Sequence, residues 1–201
     1  MNKRAYASCP ATEAPCYTEC GGSFLKAWMF AAQKHLGQLY PGSELPYLTH
    51  IGAVLLALLP ALRENPEMDA DLAICCALLH DTVEDTDTPL EEIARHFGDA
   101  VAVGVAALTK DKTKSKSDAM RDSLERIEKQ PQEIWRVKLA DRIANIGNKP
   151  PPYWTREKCL AYAEEGEMIL QTLGGASDIL ARELDWRVRE WKERYALKGG
   201  E

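Results

Sequence analysis

Apolar residues recur at spacings of three and four along most of this chain, the period of a helix that buries one face. From about Ser23 the residues Phe24, Leu25, Trp28, Met29, Ala31 and Ala32 keep that rhythm, and Gly37 closes the segment. Gln38 to Pro46, punctuated by Pro41 and Gly42, reads as a loop. A second helix is predicted from Tyr47 to Leu59, with His50 in its first turn. A third, about Asp69 to Leu79, is apolar nearly all round through Leu72, Ile74, Cys75, Cys76, Leu78 and Leu79, which describes a buried helix. Thr88-Pro89-Leu90-Glu91 has the form of a capping box with proline at the first helical position, so a fourth helix should begin near Pro89 and stop at Gly98. Between these two, Thr82 to Asp87 forms a short acidic loop.

A fifth helix is predicted from Asp99 to Thr109, followed by a lysine-rich surface loop from Lys110 to Lys116. After Pro131 comes a helix of a different kind. Leu139, Ile143 and Ile146 make one apolar stripe, and Val137, Ala140 and Ala144 a second, with Lys138, Asp141 and Asn145 between them on one face. A helix clothed on both flanks of a narrow polar stripe is buried, so the stripe must meet polar partners. Asn148-Lys149-Pro150-Pro151-Pro152 ends it. Two more helices are expected, about Thr155 to Leu173 and, capped by Ser177, to roughly Ala196. No strand alternation, repeat or glycine-rich phosphate loop accompanies them, so the expected fold is an all-α single-domain bundle.

With 201 residues and a net charge of −6, the chain has room for one core and little reason to bind nucleic acid or anionic membrane. The longest apolar stretch, Ile51 to Leu62, is interrupted by Pro60 and too short for a membrane span. The first residues lack a signal-peptide core, so a cytoplasmic protein is expected. Cys75, Cys76 and Cys159 read as core residues. Cys9, Cys16 and Cys20 lie in a polar segment over residues 1–22 that composition predicts to be a disordered tail, at spacings unlike a zinc site.

The charged residues that would be expensive to bury without a purpose are His50, His80, Asp81 and Asp141. Two imidazoles and two carboxylates suit a borderline divalent cation such as Mn²⁺, Fe²⁺ or Zn²⁺. Such an ion acidifies water and polarises a phosphoryl oxygen, and Glu84 and Asp85 would then orient the water and take its proton. Independent structural roles for each histidine remain open on spacing alone. The lysines at 110 to 116 form a basic cluster able to meet phosphate oxygens.

The order His50, His80-Asp81, Asp141 resembles the H…HD…D signature of HD-domain metal-dependent phosphohydrolases. Lys34-His35-Leu36-Gly37-Gln38, Pro46-Tyr47-Leu48-Thr49-His50, His80-Asp81-Thr82-Val83-Glu84-Asp85-Thr86-Asp87-Thr88 and Lys138-Leu139-Ala140-Asp141-Arg142-Ile143-Ala144-Asn145 are similar to the hydrolase domain of the RelA/SpoT homologues. The similarity runs from about Phe24 to Leu173 within an expected domain of residues 23–198, and the chain has no room for a synthetase domain, so it resembles a stand-alone small alarmone hydrolase. The resemblance implies one Mn²⁺ on His50, His80, Asp81 and Asp141, water handled by Glu84 and Asp85, and removal of the 3′-pyrophosphate of (p)ppGpp. It also implies purine nucleotide contacts at Asn145 and Tyr162, with Lys138 and Arg142 steadying ligands or phosphates, and a family position at His35, which a structural role near the helix end explains equally well. Lys112 is expected from the basic cluster to meet substrate phosphates. Alternatives are an HD-type nucleotidase or phosphatase for another nucleotide, and a non-catalytic nucleotide sensor. Two positions depart from the family. Tyr40 stands where relatives carry a guanine-packing arginine, so adenine substrates, (p)ppApp, are expected to be accepted as well. Gly147 stands where relatives often carry a basic residue.

Overall fold

The computed structural model describes residues 22–196; the cysteines at 9, 16 and 20 lie outside them. Ten α-helices are present among the described residues, with no strand and one isolated bridge, Leu39 to Pro46, in the first loop. They are α1 (Ser23–Lys34), α2 (Leu48–Glu64), α3 (Ala70–Leu79), α4 (Thr82–Asp85) and α5 (Leu90–Phe97). The chain continues through α6 (Asp99–Leu108), α7 (Lys116–Ile127), α8 (Gln132–Ile146), α9 (Arg156–Leu173) and α10 (Asp178–Ala196). No described helix is long and apolar enough to cross a membrane.

The all-α expectation holds, and α8 is the element round which the bundle closes. Residues 136 to 144 are buried without a break, Lys138 and Asp141 of the polar stripe included, and Asn145 is half-buried. α8 packs against α2, α3, α9 and α10, while α1 covers α3 and α5 covers α6. The approach of α6 to its neighbours depends on Gly104, where a Cβ would stand 2.6 Å from Ile134 Cδ1 and 2.7 Å from Cys76 Sγ. α3 is capped by Asp69, whose carboxylate accepts from the Leu72 amide at 2.9 Å. α10 begins after Ser177, whose hydroxyl accepts from Leu180 N at 3.3 Å and donates to Glu64 at the far end of α2.

Four expectations are corrected. Thr82 to Asp85 is a helical turn, not a loop: Thr82 Oγ1 donates to Leu79 O at 2.6 Å and Asp85 N to Asp81 O at 2.9 Å, so the orphaned end of α3 is satisfied locally and the chain turns once more. α2 runs past Leu59 to Glu64 because Pro60 sits on its exposed side, where the bond it removes is that of solvent-facing Leu56. Thr88 does not cap α5; Pro89 occupies the cap position, and the Thr88 hydroxyl pairs with Thr86 Oγ1 at 2.7 Å. The lysine-rich stretch is a loop only to Ser115, because Ser115 caps a helix that sequence periodicity did not flag, α7. That helix is polar enough to hide its signal, although Met120, Leu124 and Ile127 keep helical spacing and all three are buried.

Candidate metal and phosphohydrolase site

Four side chains from distant parts of the sequence meet where the first turn of α2, the end of α3 and the middle of α8 converge. His50 and His80 are buried, and their Nε2 atoms stand 3.2 Å apart. Asp81 Oδ2 lies 2.9 Å from His80 Nε2 and 3.3 Å from His50 Nε2. From α8, Asp141 Oδ1 lies 3.6 Å from His50 Nε2 and 3.8 Å from His80 Nε2. The sequence makes this meeting possible because α3 ends at His80: adjacent residues point about 100° apart within a helix, and Asp81 escapes that constraint by capping the next turn.

The imidazole of His80 is set up as a ligand. Its Nδ1 donates to the Ala77 carbonyl at 2.9 Å; a carbonyl only accepts, so Nδ1 carries a hydrogen and Nε2 is the atom turned to the cluster, free to offer its lone pair to an ion that displaces its proton. His50 lacks that anchor, its Nδ1 being buried with no partner among the described residues. Its plane is fixed by packing, with the Tyr40 ring stacked on it at 5.6 Å and 15°. Without an ion the cluster is electrostatically tense. Burial opposes protonation of His80, but the Asp81 and Asp141 carboxylates outweigh it and hold its pKa up at about 9. Burial would raise Asp141, yet Lys138 and the imidazoles hold it below the usual carboxylate range, and Asp81 is lowered for the same reason by its two histidines. Two convergent nitrogen lone pairs with carboxylate oxygens on either side fit a divalent cation, and His50, His80 and Asp141 form a buried group able to hold one.

Around these lies a shell of oriented partners. Lys138 Nζ donates to Asp141 Oδ2 at 3.0 Å and Asn145 Nδ2 to Asp141 Oδ1 at 2.6 Å, so the polar stripe of α8 answers itself around one carboxylate. The structure therefore places Lys138 and Asn145 on Asp141. Tyr47 is the residue that sequence reasoning overlooked. Its hydroxyl donates to Asp81 Oδ2 at 2.5 Å and lies 3.2 Å from Asp85 Oδ2, tying the cluster to the acidic turn, while its ring stacks on His35 at 4.7 Å. Burial and the carboxylates of Asp81 and Asp85 drive its pKa upward, so it stays a donor. The signal was present: Tyr47 lies three residues before His50, one helical turn away on the same side. His35 is buried beside the end of α1 and bonded through Nδ1 to Gln38 Oε1 at 2.8 Å.

Glu84 and Asp85 stand on α4 at the mouth of a cavity of about 150 Å³ that both acids, Asp81 and Asp141 line. Glu84 Oε2 accepts from the Lys110 amide at 2.8 Å, and Lys110 Nζ lies 3.7 Å from Oε1. Lys112 reaches the Glu84 carbonyl and lies 3.7 Å from Asp85 Oδ1. The lysine-rich segment thus folds over the acids. Tyr40 and Tyr162 are not among the residues that line this cavity. Besides stacking on His50, Tyr40 accepts from Asn148 Nδ2 at 3.2 Å and approaches Asn145 Oδ1 at 3.5 Å. Tyr162 is covered by Arg142, whose guanidinium carbon is 3.9 Å from the ring centre, and packs edge-on against Trp154 at 5.0 Å. At Gly147 a Cβ would meet Arg187 Nη1 at 2.3 Å, so a cation from α10 occupies the space that a side chain there would need.

A helical bundle that closes two histidines and two aspartates into one buried corner, with an acidic turn beside it, has the architecture of an HD domain. The chain belongs to the HD-domain family, whose model matches residues 27–180. It is similar to the guanosine-3′,5′-bis(diphosphate) 3′-pyrophosphohydrolase MESH1 of Xenopus tropicalis, 34% identical over 165 residues that cover 80% of this chain and 90% of that protein. The human protein of the same name is 34% identical over 158 residues, covering 76% and 86%. Among solved structures, one described as a metazoan orthologue of SpoT that hydrolyses ppGpp superposes with a TM-score of 0.74 at 29% identity, over 85% of this chain and 96% of that one.

Proposed function

We propose that this protein is a metal-dependent 3′-pyrophosphohydrolase of guanosine 3′,5′-bis(diphosphate) and its pentaphosphate, a small-molecule purine nucleotide hydrolase. The observation that carries the reading is the convergence of His50, His80, Asp81 and Asp141 on one point beside Glu84 and Asp85. Relatives that share most of the chain's length bear that activity in their names.

The residues that would hold the ion are His50, His80, Asp81 and Asp141, and Mn²⁺ is the ion proposed. When bound, it supplies Lewis-acid polarisation of a phosphoryl oxygen and acidifies water. The protein's own groups do the rest. Asp85 has one oxygen near Tyr47 and the other near Lys112, which fixes the direction of its carboxylate and suits it to orienting the attacking water. Glu84 keeps Oε1 free of any contact shorter than its 3.7 Å approach to Lys110, and is the proposed acceptor of the water proton. The water oxygen forms a bond to the ribose-linked phosphorus and the bond from that phosphorus to O3′ breaks. The O3′ leaves as a hydroxyl after taking a proton, and inorganic pyrophosphate carries the new oxygen away. Asn145 and Tyr162 are proposed to contact the nucleotide, Lys112 its phosphates, and Lys138 to steady Asp141.

Tyr40 favours a relaxed choice of base. A tyrosine presents a flat face to any purine and lacks the fixed donors with which an arginine selects guanine, so (p)ppApp is proposed as a second substrate. Incubation of the pure protein with Mn²⁺ and ppGpp, ppApp, GTP or deoxynucleotides, with products resolved by chromatography, tests both statements. Pyrophosphate with GDP from ppGpp is expected, and rates with the adenine analogue within about a hundredfold. Orthophosphate release, or turnover confined to other nucleotides, overturns the reading.

A further inference from the structure

The cavity at the metal corner is lined by four carboxylates, Asp81, Glu84, Asp85 and Asp141, and by two ammonium groups, those of Lys110 and Lys138. Their formal sum is −2, which one divalent ion brings to zero. A diphosphate with about two to three negative charges near neutral pH therefore enters a site with no surplus of positive charge, and the direction in which each lysine points decides where it can lie. Lys138 is committed, buried and bonded to Asp141 at 3.0 Å. Lys110 is held differently. Its backbone is fixed, because its amide donates to Glu84 and the carbonyl before it, Thr109 O, accepts from Arg126 Nη2 at 2.7 Å. At 3.7 Å from Glu84 Oε1 its amine is in ion-pair range but makes no hydrogen bond to that oxygen.

Lys110 also marks a passage. A second cavity, of about 360 Å³, adjoins the first and is lined by Lys112, Lys114 and Lys116 from the loop and the start of α7; Lys110 and Glu84 line both. The inner cavity, about 150 Å³, is small for a phosphoryl group together with everything attached to it, so one end of the diphosphate must project. Four lysines on the other side face the three carboxylates of Glu84, Asp111 and Glu165, so that side carries a surplus of positive charge that the inner cavity lacks, and it is the exit whose charge suits the diphosphate. Burial would lower the Lys110 pKa, but Glu84 and then Asp141 outweigh that, so the amine stays charged.

We propose that Lys110 binds the distal phosphate of the 3′-diphosphate at the passage between the metal cavity and the lysine-lined cavity. This rests on the pyrophosphohydrolase reading above and adds to it a residue for the part of the substrate that becomes pyrophosphate.

Lys110→Met removes the amine and keeps the amide that orients Glu84; Lys110→Arg restores a cation. Inorganic pyrophosphate is titrated by calorimetry into metal-saturated wild type and both variants, in buffer holding the same free Mn²⁺, with GDP as the second probe and chelator competition reporting metal affinity. Loss of one charged hydrogen-bond partner predicts pyrophosphate binding weaker by about ten- to a hundredfold in Lys110→Met, recovery in Lys110→Arg, and little change for GDP or the metal. Pyrophosphate affinity undiminished in Lys110→Met, or a loss shared equally by GDP, overturns the assignment. The two readings fail separately: wild type that turns over no 3′-pyrophosphorylated nucleotide sinks the functional reading itself, whereas wild-type turnover with intact pyrophosphate binding in Lys110→Met sinks only the role of Lys110.

Discussion

His50, His80, Asp81 and Asp141 stand on or at the ends of buried helices, whereas Lys110, Lys112 and Lys114 stand on a loop that lines the adjoining cavities and Tyr40, on another loop, stacks its ring on His50. In the first region the bundle supplies the partners: Ala77 holds His80, Tyr47 holds Asp81, and Lys138 and Asn145 hold Asp141. In the second, Lys112 is two-thirds exposed and its ion pair with Asp85 spans 3.7 Å. An exposed pair of that kind contributes little to stability. Chemistry that needs ligands within about half an ångström of place is put where packing supplies rigidity, and recognition of a substrate that must enter and leave is put where side chains can yield.

Substitutions in the first region should therefore act on metal and turnover together, and those in the second on substrate choice. The largest effect is expected for Asp81→Asn, which removes a charged donor and leaves an amide facing two imidazoles. Metal-dependent turnover should fall by about a thousandfold or more, with Mn²⁺ affinity by chelator competition falling in parallel. Unchanged activity would remove the metal mechanism. Glu84→Gln lies on the boundary between the regions, and is expected to lower kcat by about 10²- to 10⁴-fold while metal affinity stays within about threefold. A matching loss of metal would place Glu84 among the ligands instead. Tyr47→Phe sharpens the comparison from within the rigid region. It deletes the hydroxyl shared by Asp81 and Asp85 and leaves the stack on His35, so about tenfold losses in both metal affinity and kcat are expected, with KM little changed. A variant that only lowers the melting temperature would make Tyr47 merely structural.

The same division explains what could be read from the sequence. The buried histidines and aspartates are legible because burying charge is costly and a run such as Cys75 to Asp81 leaves few ways to avoid it. The polar stripe Lys138, Asp141 and Asn145 announced itself by the apolar residues on both flanks, and the fold brings it to the expected histidines. What the sequence hid depends on neighbours distant along the chain. The helical turn at Thr82 to Asp85 forms because Thr82 reaches back to Leu79 O, a bond that a local reading of acidic residues does not suggest. α7 was obscured by its charged surface, and its consequence, the grip of Arg126 on the carbonyls at the end of α6, is what positions Lys110. Tyr47 showed only its helical spacing from His50, because the meeting of α3 and α4 is what brings Asp81 and Asp85 to its hydroxyl.

The smallest predicted effect falls on Tyr40, where both regions touch. One face of its ring covers His50, so replacing it puts the imidazole's support at risk, while its hydroxyl sits between Asn145 and Asn148. Tyr40→Phe keeps the stack and loses only those polar contacts, which are long, so turnover and the ratio of guanine to adenine rates should change by no more than about threefold. Tyr40→Arg keeps a flat group that can still stack and adds a charged fork of donors. Guanine offers that fork two acceptors, O6 and N7, whereas adenine presents a donor at the matching position, a difference of about 1 to 3 kcal/mol when the geometry is good. An arginine stacked on His50 can aim only part of its fork at a base edge, so the lower end applies, and the guanine-to-adenine ratio of kcat/KM should rise by about tenfold. Metal affinity measured in the same variant separates the two consequences: if the ratio stays put while Mn²⁺ binding weakens, Tyr40 serves the histidine and not the base, and the boundary between rigid chemistry and adaptable recognition lies further out than Tyr40.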